Sequence, residues 1–255
     1  MRMLQAAAGP DYNEYRMSMS QKLFCIATAA SVILALSFVF YRSLIAGLFL
    51  CPLSLFYPKM KRKSIIKKNK EELNIQFKDM LYSVSSSVAA GRPVEQAFRE
   101  LPADLEILYP DENAGICLEA RIIAVRLDMN ESIESALDDF SERSHLEDVR
   151  SFAEVFRTSK RSGGNIAEII RNATNIINDR IEIGEEINTI LAERKFEQKV
   201  LNFLPPLMML LLTYSSGEYM EPVFTTGTGR IATTVAMLLF SAAVLISRKL
   251  ADIKI

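Results

Sequence analysis

The chain has 255 residues with a formal net charge of −1, but its 30 basic and 31 acidic side chains are unevenly distributed. Between residues 59 and 199 lie 22 of the basic and 26 of the acidic residues. This partition excludes a simple soluble protein and predicts a charged central unit between two apolar ends.

The first apolar end follows a polar tail, residues 1–22, whose segment Met1–Ser18 we expect to be mobile and cytoplasmic. A transmembrane hairpin is predicted at residues 23–58. Leu23–Tyr41 contains no charge, and at about 1.5 Å per residue it nearly spans a hydrocarbon core of roughly 30 Å. It is longer than the apolar core of a signal peptide, and no clear cleavage site follows, so a retained span is favoured. Ser43–Tyr57 is shorter and predicts a return leg.

A second transmembrane hairpin is predicted at residues 200–247, where Val200–Gly217 and Ile231–Ser247 are both uncharged. A short tail, residues 248–255, ends the chain. In a chain that crosses the membrane four times, one end of each apolar run lies on the same side of the membrane as the central unit. Basic residues are concentrated at these ends, above all in a cluster of seven at residues 59–70. The positive-inside rule therefore predicts a multi-pass plasma-membrane protein with both termini and the central unit in the cytoplasm.

The central unit, residues 59–199, shows helical periodicity and no convincing strand pattern. One predicted helix carries an apolar face made of Leu73, Phe77, Met80, Leu81, Val84 and Val88. Gly91 is placed to end that helix and Pro93 to start the next. The fold class is therefore an all-α membrane protein, with a cytoplasmic antiparallel helical bundle between two transmembrane hairpins. Residues 71–199 hold 15 basic and 26 acidic residues, a balance that argues against binding of nucleic acid.

A short sequence pattern recurs at the predicted helix boundaries, and this recurrence is called here the echo. Gly91–Phe98 resembles Asn130–Leu137 at an offset of 39 residues, and Gly164–Ile170 is a fainter third copy. A true internal repeat and the sequence pattern common to the ends of helical hairpins explain this similarity equally well. Each copy predicts the end of a helix, a turn and the start of another helix.

The longest predicted helix runs from Asn165 to Lys199 and on into the third span. Isoleucines and an alanine keep an approximate heptad phase along it, which Arg180 and Arg194 interrupt: Ile169, Ala173, Ile176, Ile183, Ile187 and Ile190. In the span itself, Pro205–Pro206 predicts a kink, which is either a tolerated structural feature or a hinge that transmits motion. Gly163–Gly164 is either a turn requirement or a backbone surface presented to a partner.

Catalytic patterns are missing from the sequence. The stretch Ser162–Asn165 lacks the end of a phosphate-binding P-loop, and one histidine excludes the two-histidine metal motifs. Cys25, Cys51 and Cys117 have no zinc or disulfide spacing and predict buried thiols in a reducing compartment. We therefore expect no enzyme activity, no cofactor and no metal.

In order, the chain shows two predicted spans, the basic cluster at residues 59–70, and the stretches Ala90–Phe98 and Ser162–Ile169. Leu204–Pro206 and Glu221–Phe224 then follow before the last span. This order resembles the type II secretion system F domain, in the version found in Tad/Flp pilus assembly proteins of the TadB/TadC type. The resemblance implies an inner-membrane platform protein without activity of its own, which couples a cytoplasmic secretion ATPase to pilin extraction and assembly.

The partners implied are that ATPase, pilin subunits, membrane lipids, and a second F-domain protein or further copies of this chain. The candidate interaction or structural residues are Gly91, Pro93, Glu95, Gly163, Gly164, Asn165, Glu168, Pro205 and Pro206. An alternative is a membrane-anchored adaptor or sensor whose bundle binds a soluble partner. A small transporter is disfavoured because the spans offer few polar groups.

Overall fold

The structure, a computed structural model, describes residues 9–15, 17–42, 44–111 and 114–251. Within these residues the chain is helical and contains no strand, which confirms the all-α prediction. The α-helices are α1 Met19–Tyr41, α2 Leu44–Leu50, α3 Tyr57–Ala89, α4 Val94–Leu108, α5 Gly115–Asp128, α6 Ile133–Ser144, α7 Glu147–Ser162, α8 Ile166–Ser215, α9 Gly217–Thr225 and α10 Gly227–Ala251, with a 3-10 helix at Cys51–Phe56.

Two compact units make up the described chain. The bundle unit contains residues 9–15 and Arg62–Ile183, and the apolar unit contains residues 17–61 and 184–251. The predicted central unit, residues 59–199, is therefore longer at both ends than the bundle unit. The difference arises because α3 and α8 are continuous helices that each belong partly to one unit and partly to the other.

The bundle unit is built on one apolar core that draws side chains from α3 to α8. The face predicted for α3 is correct, since Leu73, Phe77, Met80, Leu81 and Val84 are buried. The Phe77 ring lies edge-on to Phe140 and Phe152, with ring centroids 5.9 and 5.8 Å away. Such aromatic edge contacts add to the free energy gained by burying the rings.

Replacing Phe77 by alanine is expected to lower the free energy of unfolding by about 3–5 kcal/mol, because it leaves a cavity between two other rings. Urea unfolding of the detergent-solubilised chain, followed by circular dichroism, measures the loss. Tyr82→Ala on the same helix is the control, since Tyr82 is 67% exposed and its removal leaves no cavity. Equal losses in the two variants would contradict the assignment of the core.

Residues 9–15, called here the N-terminal strap, lie on the bundle unit and are not the mobile tail that their polar composition predicts. The Tyr12 amide donates to the Arg143 carbonyl at 3.1 Å, and the Tyr12 hydroxyl donates to Gly115 O and to Glu119. A Cβ at Gly9 would lie 2.1 Å from Arg143 Nη1, so a larger residue there would have to displace the Arg143 side chain. The remaining tail residues 1–8 lie outside the described part of the chain.

The apolar unit holds two or three candidate membrane spans within the described residues. Residues 19–41 and 227–247 are each long and apolar enough to cross a membrane. The end of α8 joins α9 through a 115° change of direction at Ser216, and this pair passes the same test together. The predicted return leg at residues 43–57 is not one membrane-length helix, since α2 ends at Leu50 and a 3-10 helix with Pro52 in its first turn follows. Four crossings therefore remain a prediction.

Helix α8 continues through Pro205 and Pro206 without interruption. The two prolines lack N–H groups, so the carbonyls of Leu201 and Asn202 lose their donors within the helix. The break in the helical run comes ten residues later, at Ser216. The proline pair is thus a place of missing hydrogen bonds inside a continuous helix.

Candidate interaction surface

Three helix junctions of the bundle unit share the same local backbone geometry. In each, a residue in the left-handed region ends one helix, a single residue follows, and the next residue caps the following helix: Gly91 and Pro93, Asn130 and Ser132, Gly163 and Asn165. We call these junctions corners 1, 2 and 3. The echo in the sequence therefore corresponds to a repeated backbone geometry.

The hydrogen bonds of corners 1 and 2 are those of a Schellman motif. The amide of Arg92 donates to Ser87 O and that of Gly91 to Val88 O. Corner 2 repeats both bonds with Asn130 in place of glycine. At corner 3 the amide of Gly164 donates to Ser159 O at 2.9 Å. A glycine or asparagine with positive φ satisfies the last carbonyls of a helix at low steric cost.

Lys160 connects the corners. Its ammonium group donates to Glu95 of corner 1 at 3.2 Å and to Glu134 of corner 2 at 3.1 Å, and it lies one turn before Gly163 of corner 3. Glu95 and Glu134 are equivalent positions of the echo, 39 residues apart. The bundle therefore brings the three corners to one end of the unit.

The charges at this end reinforce one another. Burial alone would lower the pKa of Lys160, but its hydrogen bonds to Glu134 and Glu95 outweigh burial and raise that pKa. The backbone N–H of Glu95, at the start of α4, lowers the pKa of its carboxyl, and Lys160 adds to the effect. Lys160 and Glu95 are therefore both charged at neutral pH.

Replacing Lys160 by methionine is expected to lower the free energy of unfolding by no more than about 1 kcal/mol, because solvent screens the partly exposed pairs. The contribution of Lys160 is present below its ordinary pKa of 10.5, and that of Glu95 above its ordinary pKa of 4.5. The difference between wild type and variant should be constant near neutral pH and shrink as the pH falls through the lowered pKa of Glu95. Urea unfolding from pH 3 to 8 checks this, with Arg150→Met as a control.

The residues predicted as a site divide into two groups. Seven lie exposed on corners 1 and 3: Gly91, Pro93, Glu95, Gly163, Gly164, Asn165 and Glu168. Pro205 and Pro206 belong to the apolar unit instead. Sequence reasoning missed Lys160, although the equivalence of Glu95 and Glu134 in the echo was a signal that these acids could share a partner.

A buried ion pair at the α5–α6 contact was also missed. Glu119 is fully buried and accepts two hydrogen bonds of 2.6 Å from Arg143, which also donates to Asp139 at 2.7 Å. Burial would lower the pKa of Arg143, but Glu119 and Asp139 outweigh it and raise that pKa. Burial and then the charge of Glu119 raise the pKa of Tyr12, so its hydroxyl keeps the proton that it donates.

Within the described residues, no group of three or more histidine, cysteine, aspartate or glutamate side chains is arranged to hold a metal ion. The corners instead present exposed backbone and acidic side chains. Such a surface can bind another protein.

The comparison with known families identifies the chain. The family model described as type II secretion system (T2SS), protein F, matches residues 80–213, more than half of the sequence. The chain belongs to this family. F-family proteins are inner-membrane components of secretion or pilus-assembly machines and are non-catalytic. No curated protein and no solved structure matches the chain.

The resemblance seen in the sequence is thus confirmed for the F family. The matched range begins within α3 and ends within α8, so it includes all three corners, Lys160 and the proline pair. The N-terminal strap lies outside that range.

Proposed function

We propose that this F-family protein is the inner-membrane platform of a Tad/Flp (type IV-like) pilus or of a type II secretion machine. In this role its cytoplasmic bundle binds a secretion ATPase and couples the movement of that ATPase to the extraction and assembly of pilin. Both termini lie in the cytoplasm in this proposal. A second F-domain protein or further copies of the chain complete the platform.

One observation carries the proposal: α8 is a single helix that starts at corner 3 and continues to Ser215 through an uncharged segment. Its 50 residues extend about 75 Å at 1.5 Å per residue. A displacement at its N-terminal end has a covalent, hydrogen-bonded path to the segment that contains the proline pair. The excess of acidic residues in the bundle supports docking of a protein with a basic surface.

Co-purification with a secretion ATPase from the same cells tests the proposal. The double substitution Glu95→Lys and Glu168→Lys reverses two exposed charges at corners 1 and 3 and should reduce recovery of the ATPase. The control, Glu154→Lys and Glu185→Lys, makes the same charge change away from the corners and should leave it unaltered. Failure of the wild-type chain to retain the ATPase, together with capture of a different soluble protein, would favour the adaptor alternative.

A further inference from the structure

A groove between α8 and α10 lies wholly within the apolar unit. It has a volume of about 620 Å³, which is in the range of small-molecule binding sites. Helix α8 lines it with Leu191, Arg194, Lys195 and Gln198. These positions are spaced i, i+3, i+4 and i+7, so they share one face of the helix. One wall of the groove is therefore a regular helix face.

Helix α10 provides the opposite wall with Ala243, Ile246 and Ser247. The side-chain amide of Gln198 donates to the hydroxyl of Ser247 and so joins the two helices. Beside this polar contact the wall is apolar, and Ile246 is 61% exposed. The groove thus offers polar and apolar surface side by side.

The charged side chains that line the groove are all basic. They are Arg194 and Lys195, and among the described lining residues none is acidic, although residues 184–199 contain four acidic and three basic side chains. Arg194 pairs with Glu197 at 3.1 Å, but both side chains are at least half exposed. Such a pair contributes little, so another anion can replace Glu197 at low cost. The groove therefore favours a negatively charged ligand.

The groove lies where two apolar segments end. The uncharged run of α8 begins at Val200, directly after Lys199, and the candidate span at residues 227–247 ends at Ser247. Basic pockets between membrane helices at the cytoplasmic side of a bilayer bind the headgroups of anionic lipids. The position of the groove along both helices therefore matches the level of lipid headgroups.

We propose that this groove binds an anionic phospholipid, with the lipid phosphate between Arg194 and Lys195 and an acyl chain along Ile246. A guanidinium donates two parallel hydrogen bonds to a phosphate, and an ammonium group adds a compact charge. A soluble phosphate would leave the apolar wall uncovered, so a lipid fits better. The inference rests on the membrane insertion that the proposed function includes. It does not depend on an ATPase or on pilin.

Tryptophan fluorescence of the full chain tests the lipid site, because the chain contains no tryptophan of its own. Ile246→Trp places a reporter in the groove. Leu245→Trp, at a position that is 65% exposed, places one at nearly the same depth on the opposite face of α10. Each variant is purified and reconstituted into phosphatidylcholine bilayers that contain a minor share of either brominated phosphatidylglycerol or brominated phosphatidylcholine.

Bromine quenches a tryptophan that lies beside it, so the quenching gives the relative affinity of each position for the two lipids. At Ile246→Trp, phosphatidylglycerol should bind at least about fivefold more strongly than phosphatidylcholine, the effect of one cation near a lipid surface. At Leu245→Trp the two lipids should quench equally. An equal preference for phosphatidylglycerol at both positions would overturn the inference, because it would show general attraction of anionic lipid to the protein.

Charge removal provides the second arm. Arg194→Gln together with Lys195→Gln, added to Ile246→Trp, should abolish the preference for phosphatidylglycerol. The control, Lys61→Gln together with Lys63→Gln, removes the same charge from the basic cluster at residues 59–70 and should retain the preference. Equal losses in the two double variants would overturn the inference.

Two further outcomes separate the alternatives. If inorganic phosphate, added at constant ionic strength, abolishes the preference at Ile246→Trp, the groove is a site for a free anion and the inference is wrong. Quenching by both lipids without any preference overturns the lipid site alone. Quenching by neither lipid at either reporter position would contradict the membrane insertion itself, and with it the proposed function.

Discussion

Replacing Arg143 by methionine is expected to destabilise the bundle unit by about 3–5 kcal/mol, because it leaves the carboxylate of Glu119 buried and without its charged partner. Glu119 is completely inaccessible to solvent, and Arg143 supplies both of its short ionic hydrogen bonds. The Tyr12 hydroxyl, 3.0 Å away, cannot replace a positive charge. Urea unfolding of the detergent-solubilised chain measures the loss.

The double substitution Glu119→Leu and Arg143→Met is the matched partner of this test. Removing both charges together avoids the unpaired buried carboxylate, so the double variant should regain much of the stability that the single variant loses. Arg150→Met provides the control, because the Arg150–Glu154 pair is largely exposed and should contribute less than about 1 kcal/mol. A double variant less stable than the single one would contradict this account.

Replacing Pro205 and Pro206 together by leucine is expected to abolish pilus assembly while the protein still inserts into the membrane. Leucine restores two backbone N–H donors and makes the helix more regular at the point where a hinge would work. Electron microscopy of the cell surface measures piliation, and membrane fractionation measures insertion.

Pro222→Leu is the matched control for the proline pair, since Pro222 also lies within a helix, α9, but outside the long helix that starts at corner 3. This variant should assemble pili normally. Normal piliation of the Pro205/Pro206 variant would remove the hinge from the mechanism. Loss of the protein from the membrane would show instead that the prolines serve insertion.

Local signals explain what the sequence predicted correctly. Gly91 and Pro93 mark a helix end and a helix start through backbone preferences that do not depend on distant residues. The face containing Phe77 follows from helical periodicity alone. The same reasoning identified the repeat of the corners, because each copy spans fewer than ten residues.

Contacts between distant segments explain the rest. Lys160 joins Glu95 and Glu134 across 65 and 26 residues, and no single stretch of sequence carries that information. Tyr12 belongs to a polar stretch with the composition of a free tail, yet it packs more than one hundred residues away, on α5. The antiparallel order of the bundle and the two transmembrane hairpins remain predictions.

The position of the N-terminal strap has a practical consequence for recombinant fragments. A soluble fragment that starts where α3 enters the bundle unit, near residue 62, would lack Gly9 and Tyr12 and would open Glu119 to water. A larger residue in place of Gly9 would crowd the guanidinium of Arg143. A synthetic peptide of residues 9–15 added in trans is the natural complement for such a fragment.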